Sequence, residues 1–208
     1  MARISIFPLA GAILFPRAHL PLHVFEPRYR ALVTDAMARD RRIGMIQPRE
    51  AESAGRPPAL FDVGCVGHIV DVQALDDGRF NLVLEGRSRF RLVTELDVAT
   101  PFRQIDADLD MFGDDADDPD PLASVVRAEI EREARRFADA RGYAIDWEAV
   151  GRLDDESLVN AVAQVAPFDA AAKQALLEAP DLAERADLVA QFLRFFRLGD
   201  DGEDATLQ

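Results

Sequence analysis

The sequence predicts an α+β chain: a strand-rich first half that holds a single helix, then a second half that is helical to its end. Three observations predict it. Residues 63–96 are rich in β-branched and aromatic residues and carry one strong turn, Asp76-Asp77-Gly78. Beyond residue 121 the apolar residues recur at helical spacing. Between the two lies Gly113-Asp114-Asp115-Ala116-Asp117-Asp118-Pro119-Asp120, whose like charges repel and leave almost nothing apolar to bury.

Taken in order, Arg3–Phe7 alternates polar and apolar residues and reads as a first strand, and Leu20–Phe25 as a second. The period then changes. Tyr29, Leu32, Val33, Ala36 and Met37 share one helix face, and Pro27 stands where a first helical turn needs no N–H. Arg42–Gln47 is strand-like, and residues 48–58, with Gly55, Pro57 and Pro58, are a loop. Val63–Leu75 and Arg79–Leu84 form a hairpin across the Asp-Gly turn. Glu85-Gly86 interrupts it, Arg87–Leu96 continues as a separate strand, and Phe102–Met111 is a last one. In the second half, Asp120-Pro121 starts a helix whose stripe is Leu122, Val125, Val126, Ile130, Ala134 and Phe137, with Gly142 ending it. Residues 155–166 form the next helix, stopped by Pro167, and Asp169 caps a short one through Leu177. Asp181 with Glu184 is an acidic capping box for a last helix that Gly199 ends. The expected organisation is a β-rich subdomain over 1–112, an acidic linker over 113–120, a helical bundle over 121–198 and a frayed acidic tail over 199–208.

With 49% hydrophobic and 30% charged residues, the 208-residue chain can build a core, which excludes wholesale disorder. The net charge of −14 is uneven. Residues 1–107 hold 14 arginines against 13 acids, whereas residues 108–208 hold 10 basic and 25 acidic side chains. That field repels phosphate backbones, so a nucleic-acid partner is not expected. No stretch has the length of a membrane span, and no membrane partner is expected. Pro8, Gly11 and Pro16 break the apolar run after Met1-Ala2-Arg3, which reads as strand rather than signal peptide. The single cysteine, Cys65, can form no disulfide within the chain and fits a reducing, cytoplasmic setting.

The search for chemistry is negative. No G-x-x-x-x-G-K-[ST], G-x-G-x-x-G or G-x-S-x-G occurs, and the one lysine, Lys173, follows three alanines. His19-x-x-x-His23 has zinc-ligand spacing only on a helix, and Pro21 lies inside it. Cys65 sits in an apolar strand, where a small buried thiol is normal. The aspartates of 114–120 lack the spacing of a calcium loop and its closing glutamate. No catalytic residue, cofactor or metal is expected.

Binding candidates are fewer and each has a structural alternative. Glu26, Arg28 and Arg30 surround the start of the first helix, where helix-end electrostatics competes with partner contact, and Tyr29 among them is a further contact candidate. Phe15, Leu22 and Phe25 are either core or contact residues. Arg87, Arg89 and Arg91 alternate with Ser88, Phe90 and Leu92 and so share one strand face, which is either solvated or a patch for acidic segments, this chain's own acidic half included.

Two stretches resemble the Lon protease substrate-binding (N-terminal) domain family. Phe7-Pro8-Leu9, continued by Leu20-Pro21-Leu22-His23-Val24-Phe25-Glu26-Pro27-Arg28-Tyr29, is similar to that family's opening F-P-L and L-P-L-x-x-F-E-x-R-Y. Asn81–Phe90 is similar to its strand, Glu-Gly-x-x-Arg, strand segment, and Lys173–Leu177 resembles a helical stretch near its end. The resemblance implies a PUA-like β-pseudobarrel followed by helices, in a free-standing member of bacterial type. It also implies binding of unfolded or partner polypeptides, without the ATPase and Ser–Lys protease domains of full-length Lon. PUA-like barrels also bind RNA, which is the alternative function. Neither the oligomeric state nor the bound polypeptide is legible.

Overall fold

The computed structural model describes residues 1–50 and 57–200. The chain parts into two compact units, Met1–Asp118 and Pro119–Gln208.

The first unit holds strands β1 (Ala2–Pro8), β2 (His19–Val24), β3 (Arg42–Ile46), β4 (Val63–Ala74), β5 (Phe80–Leu96) and β6 (Gln104–Asp108), with helix α1 (Pro27–Met37) between β2 and β3. They form one mixed sheet in the order β2-β5-β4-β3-β1-β6. β1 runs parallel to β3, and the other pairings are antiparallel. β6 also pairs with β5, so five strands close into a ring and β2 hangs on its outside.

The length of β5 makes the closure possible. Its 17 residues give β2 its first part, Phe80–Glu85, and β6 its last part, Arg91–Leu96. The sequence reading of two strands split at Glu85-Gly86 is therefore corrected to one strand with a bulge. Val66 opposes Ser88 while Gly67 opposes Gly86, which leaves Arg87 as the extra residue. Gly86 is required there for closeness: a Cβ on it would stand 1.9 Å from the Phe15 carbonyl oxygen. Its N–H donates to the Ala18 carbonyl and its own carbonyl accepts from the Arg17 N–H, both at 2.9 Å, so the segment before β2 is laced onto the bulge. Inside the ring, Ile4, Ile6, Ile46, Leu60, Val66, Phe90, Ile105 and Ala107 form the core. The predicted last strand ends at Asp108, and the chain turns into a short 3₁₀ segment, Asp110–Ala116, kinked at Phe112. Part of the predicted loop 48–58 is described: Pro48 and Leu60 pair across its base, and residues 51–56 lie outside the described residues.

The second unit is five helices, α2 (Ser124–Arg141), α3 (Trp147–Gly151), α4 (Asp155–Val165), α5 (Ala170–Glu178) and α6 (Leu182–Asp200). α6 packs against α2, α4 and α5. Ile130, Phe137, Leu158, Val159, Leu176, Val189 and Leu193 are buried there, and Phe168 meets Phe192 and Phe196 at ring separations of 5.8 and 5.2 Å. α2 starts at Ser124 rather than at Pro121, with no side-chain cap, so Leu122 precedes the helix and Val125 is exposed. The anchor is instead Asp155 at the start of α4, which accepts from the Leu122 N–H at 2.9 Å and from Arg127 at 2.7 Å. Gly142 ends α2 with φ 67°, a left-handed conformation that glycine adopts without a Cβ penalty. Gly199 lies inside α6 rather than beyond it, and the predicted tail past residue 200 is outside the described residues. No helix among the described residues is long and apolar enough to cross a membrane.

Candidate functional site

The residues nominated from sequence fall into two groups. Phe15 and Tyr29 are buried and serve the fold. Phe15 lies under the Gly86 bulge. Tyr29 stacks on Phe7 at 4.0 Å and donates its hydroxyl to the Pro8 carbonyl. Arg89 is also buried, which corrects the solvated-face reading for that residue, and what it meets is a segment of this chain's own acidic half. Its Nη2 and Nε donate to Asp115 Oδ1 at 2.8 and 3.0 Å, and its backbone N–H donates to Asp115 Oδ2 at 2.7 Å. The partner is an aspartate of the run read as a solvated linker, and Asp115 is itself buried. Phe112 lies 4.5 Å from the Arg89 guanidinium, and Arg17 donates to the Asp115 carbonyl at 2.7 Å. The 3₁₀ segment thus covers this part of β5 and removes Arg89 from any binding surface.

Leu22, Phe25, Glu26, Arg28 and Arg87 remain wholly or partly exposed. Arg87 pairs with Glu85 at 2.9 Å, and Arg28 with Glu26 at 3.0 Å while lying 4.6 Å over the Tyr29 ring. Leu22 lines a shallow depression of about 370 Å³ where β2, β5 and β4 adjoin. Pro21, Leu82 and Val83 line it too, beside polar groups: His23 Nδ1 meets Asn81 Oδ1 at 2.7 Å, and Arg79 approaches His23 Nε2 at 3.2 Å. Phe25, 60% exposed, is a lone large apolar side chain beside His23. β2 is the sheet's outer strand, but Pro21 lies in its middle and removes a donor, which blunts strand addition. His19 and His23 lie apart along this strand, opposite Glu85 and Asn81. Among the described residues no group of three or more His, Cys, Asp or Glu side chains could hold a metal.

A concave apolar feature lies in the second unit and was not nominated from sequence. It is a groove of about 390 Å³ floored by Phe137, Leu158 and Leu193 and walled by Trp147, Val150 and Val162. Tyr143, Ile145 and Val165 line it and are exposed, Val165 at 82%. Its size falls in the ~300–1,000 Å³ range of clefts that bury small ligands or a few side chains. The groove exists because α3 is a single turn. Asp146 caps it by accepting from the Glu148 and Ala149 N–H groups at 3.1 and 3.0 Å. A turn this short, raised on the 143–146 segment, cannot cover the apolar faces of α2 and α4. Arg135 lies 4.5 Å over the Trp147 ring and helps fix the indole. Asp146 is the one carboxylate lining the groove, and it is already committed to the cap, so the arrangement suits binding. The apolar residues of 143–153 follow neither period; their one sequence signal is the Asp146 cap.

A family model described as the ATP-dependent protease La (LON) substrate-binding domain matches residues 3–194. Lon protease 2 of Myxococcus xanthus is 29% identical over 194 residues, which are 91% of this chain and 23% of that protein. Lon protease 2 of Thermus thermophilus is 25% identical over 191 residues, 90% of this chain and 23% of that protein. The chain thus spans about a quarter of the length of these relatives. Among solved structures, a Lon N-terminal domain protein from Xanthomonas campestris superposes with TM-score 0.64 at 21% identity, covering 94% of this chain and 99% of that one. The N-terminal domain of the Mycobacterium avium complex Lon protease superposes with TM-score 0.65 at 18% identity, covering 93% and 98%. At these identities the superpositions establish the fold.

Proposed function

The chain belongs to the LON substrate-binding domain family, and from that premise we propose that it is a non-catalytic module that binds other polypeptides through the apolar groove of its helical unit. The observation that carries this reading is the groove itself: an uncovered cleft between α2, α3 and α4 with almost wholly apolar walls. Folded proteins hide large apolar side chains and unfolded ones present them. Each leucine- or phenylalanine-sized side chain that enters such a cleft contributes about 1.5–3 kcal/mol of transfer free energy. Recognition of this kind needs no ionisable constellation, in keeping with the lack of nucleotide-loop and nucleophile motifs across residues 1–208. The strand ring of the first unit is read as a PUA-like pseudobarrel, supported by the closure of β5 on β6. The acidic balance favours a protein over an RNA partner, and the buried Cys65 thiol fits a cytoplasmic setting.

The test is suppression of aggregation of a heat-denatured client protein. The wild-type chain is expected to suppress light scattering near stoichiometric ratio. Val165→Asp, at a position exposed enough to leave the fold intact, is expected to lose most of that effect, and Phe25→Asp to keep it. A wild-type chain that neither suppresses scattering nor binds any denatured client refutes the proposal.

A further inference from the structure

The groove's chemistry is apolar, but its setting is not neutral. Residues 139–156, which include the α3 wall of the groove, hold six carboxylates and two guanidinium groups, and Arg135 and Arg141 lie over the Trp147 and Phe137 rings. Residues 119–208 hold 19 acidic and 10 basic side chains. Asp146 lines the groove directly, and Glu148, two residues on in α3, is 86% exposed at its side chain, where it pairs with Arg152 at 3.0 Å in an exposed, solvent-screened contact. An occupant therefore meets a greasy floor within a negative field. Asp146 is the one carboxylate in the lining itself, so the surrounding field acts chiefly on whatever flanks the inserted apolar residues.

We propose, resting on the groove reading above, that the module selects apolar segments flanked by lysine or arginine and rejects those flanked by acids. Charge complementarity also decides between occupants. A second copy of this chain would bring its own acidic surface to the same place, whereas a basic-flanked foreign segment is attracted. Because flanking charges stay near water, the preference is a long-range, salt-screened effect and fades as the Debye length falls from ~10 Å at 0.1 M to ~3 Å at 1 M salt.

Trp147 is the chain's only tryptophan and lines the groove, so its emission reads occupancy directly. The experiment titrates the full chain with three tryptophan-free peptides that share one Leu/Phe/Ile centre and differ only in Lys, Ser or Glu flanks. The Lys-flanked peptide is expected to bind about tenfold more tightly than the Glu-flanked one at low salt, with the gap closing at 0.5 M salt. Glu148→Lys, at an exposed position, is expected to narrow the gap without changing affinity for the Ser-flanked peptide. Equal affinity for all three peptides overturns the selection proposal and leaves the groove reading standing. Failure of every peptide to move Trp147 emission overturns both. A shift in emission with protein concentration alone identifies a second copy as the occupant and overturns the proposal.

Discussion

Asp115 is a buried anchor of the first unit. Its carboxylate takes three donors from Arg89, and both side chains are about 95% buried. Removing one partner of such a pair leaves the other charge buried and uncompensated, which costs about 3–5 kcal/mol. Asp115→Ala is therefore expected to lower the unfolding free energy of the first unit, read from urea titration, by that amount, whereas Asp117→Ala, two residues on and exposed, is expected to leave it unchanged. Gly86 is the other critical point. A methyl group there would overlap the Phe15 carbonyl at 1.9 Å, which is backbone and cannot swing away. Gly86→Ala is expected to yield insoluble protein or one lacking cooperative thermal unfolding; a soluble variant with a wild-type midpoint would contradict this.

Among the elements, β2 and the α2–α4 junction carry separate predictions. β2 has one neighbour, β5, and Pro21 interrupts its outer side. Pro21→Val restores a free N–H in a strand-favouring residue, so the variant is expected to self-associate faster, measured by light scattering at matched concentration. At the junction, the Arg127 guanidinium and the Leu122 N–H hold the Asp155 carboxyl below its ordinary value of 3.8. A carboxyl depressed in the folded state contributes stability that is present above the ordinary value and lost as the pH falls through the folded one. Asp155→Asn is expected to be less stable than wild type at neutral pH, with the difference shrinking below about pH 4. A difference that grows on acidification would contradict the assignment.

For the whole molecule, what sequence could show depended on how local the signal was. The β4–β5 hairpin was legible because period-two alternation and an Asp-Gly turn are properties of a few adjacent residues. The family motifs were legible too. Several of their residues, Phe7, Tyr29, Gly86 and Arg89, are buried and hold the fold together. The burial of Arg89 was hidden because alternation names a strand face but not what covers it, and the cover is a segment 26 residues on. The groove was hidden for the same reason on a larger scale. Its walls come from α2, α3, α4, α6 and the 143–146 segment, and only tertiary packing leaves a space between them.

The most direct measurement of the central claim is hydrogen exchange of the full chain with and without a saturating reduced, alkylated client protein. The groove account predicts slowed exchange across residues 143–165, with little change in β2 and at the tip of the β4–β5 hairpin. Protection confined to β2 and that tip, or no protection anywhere, would contradict it.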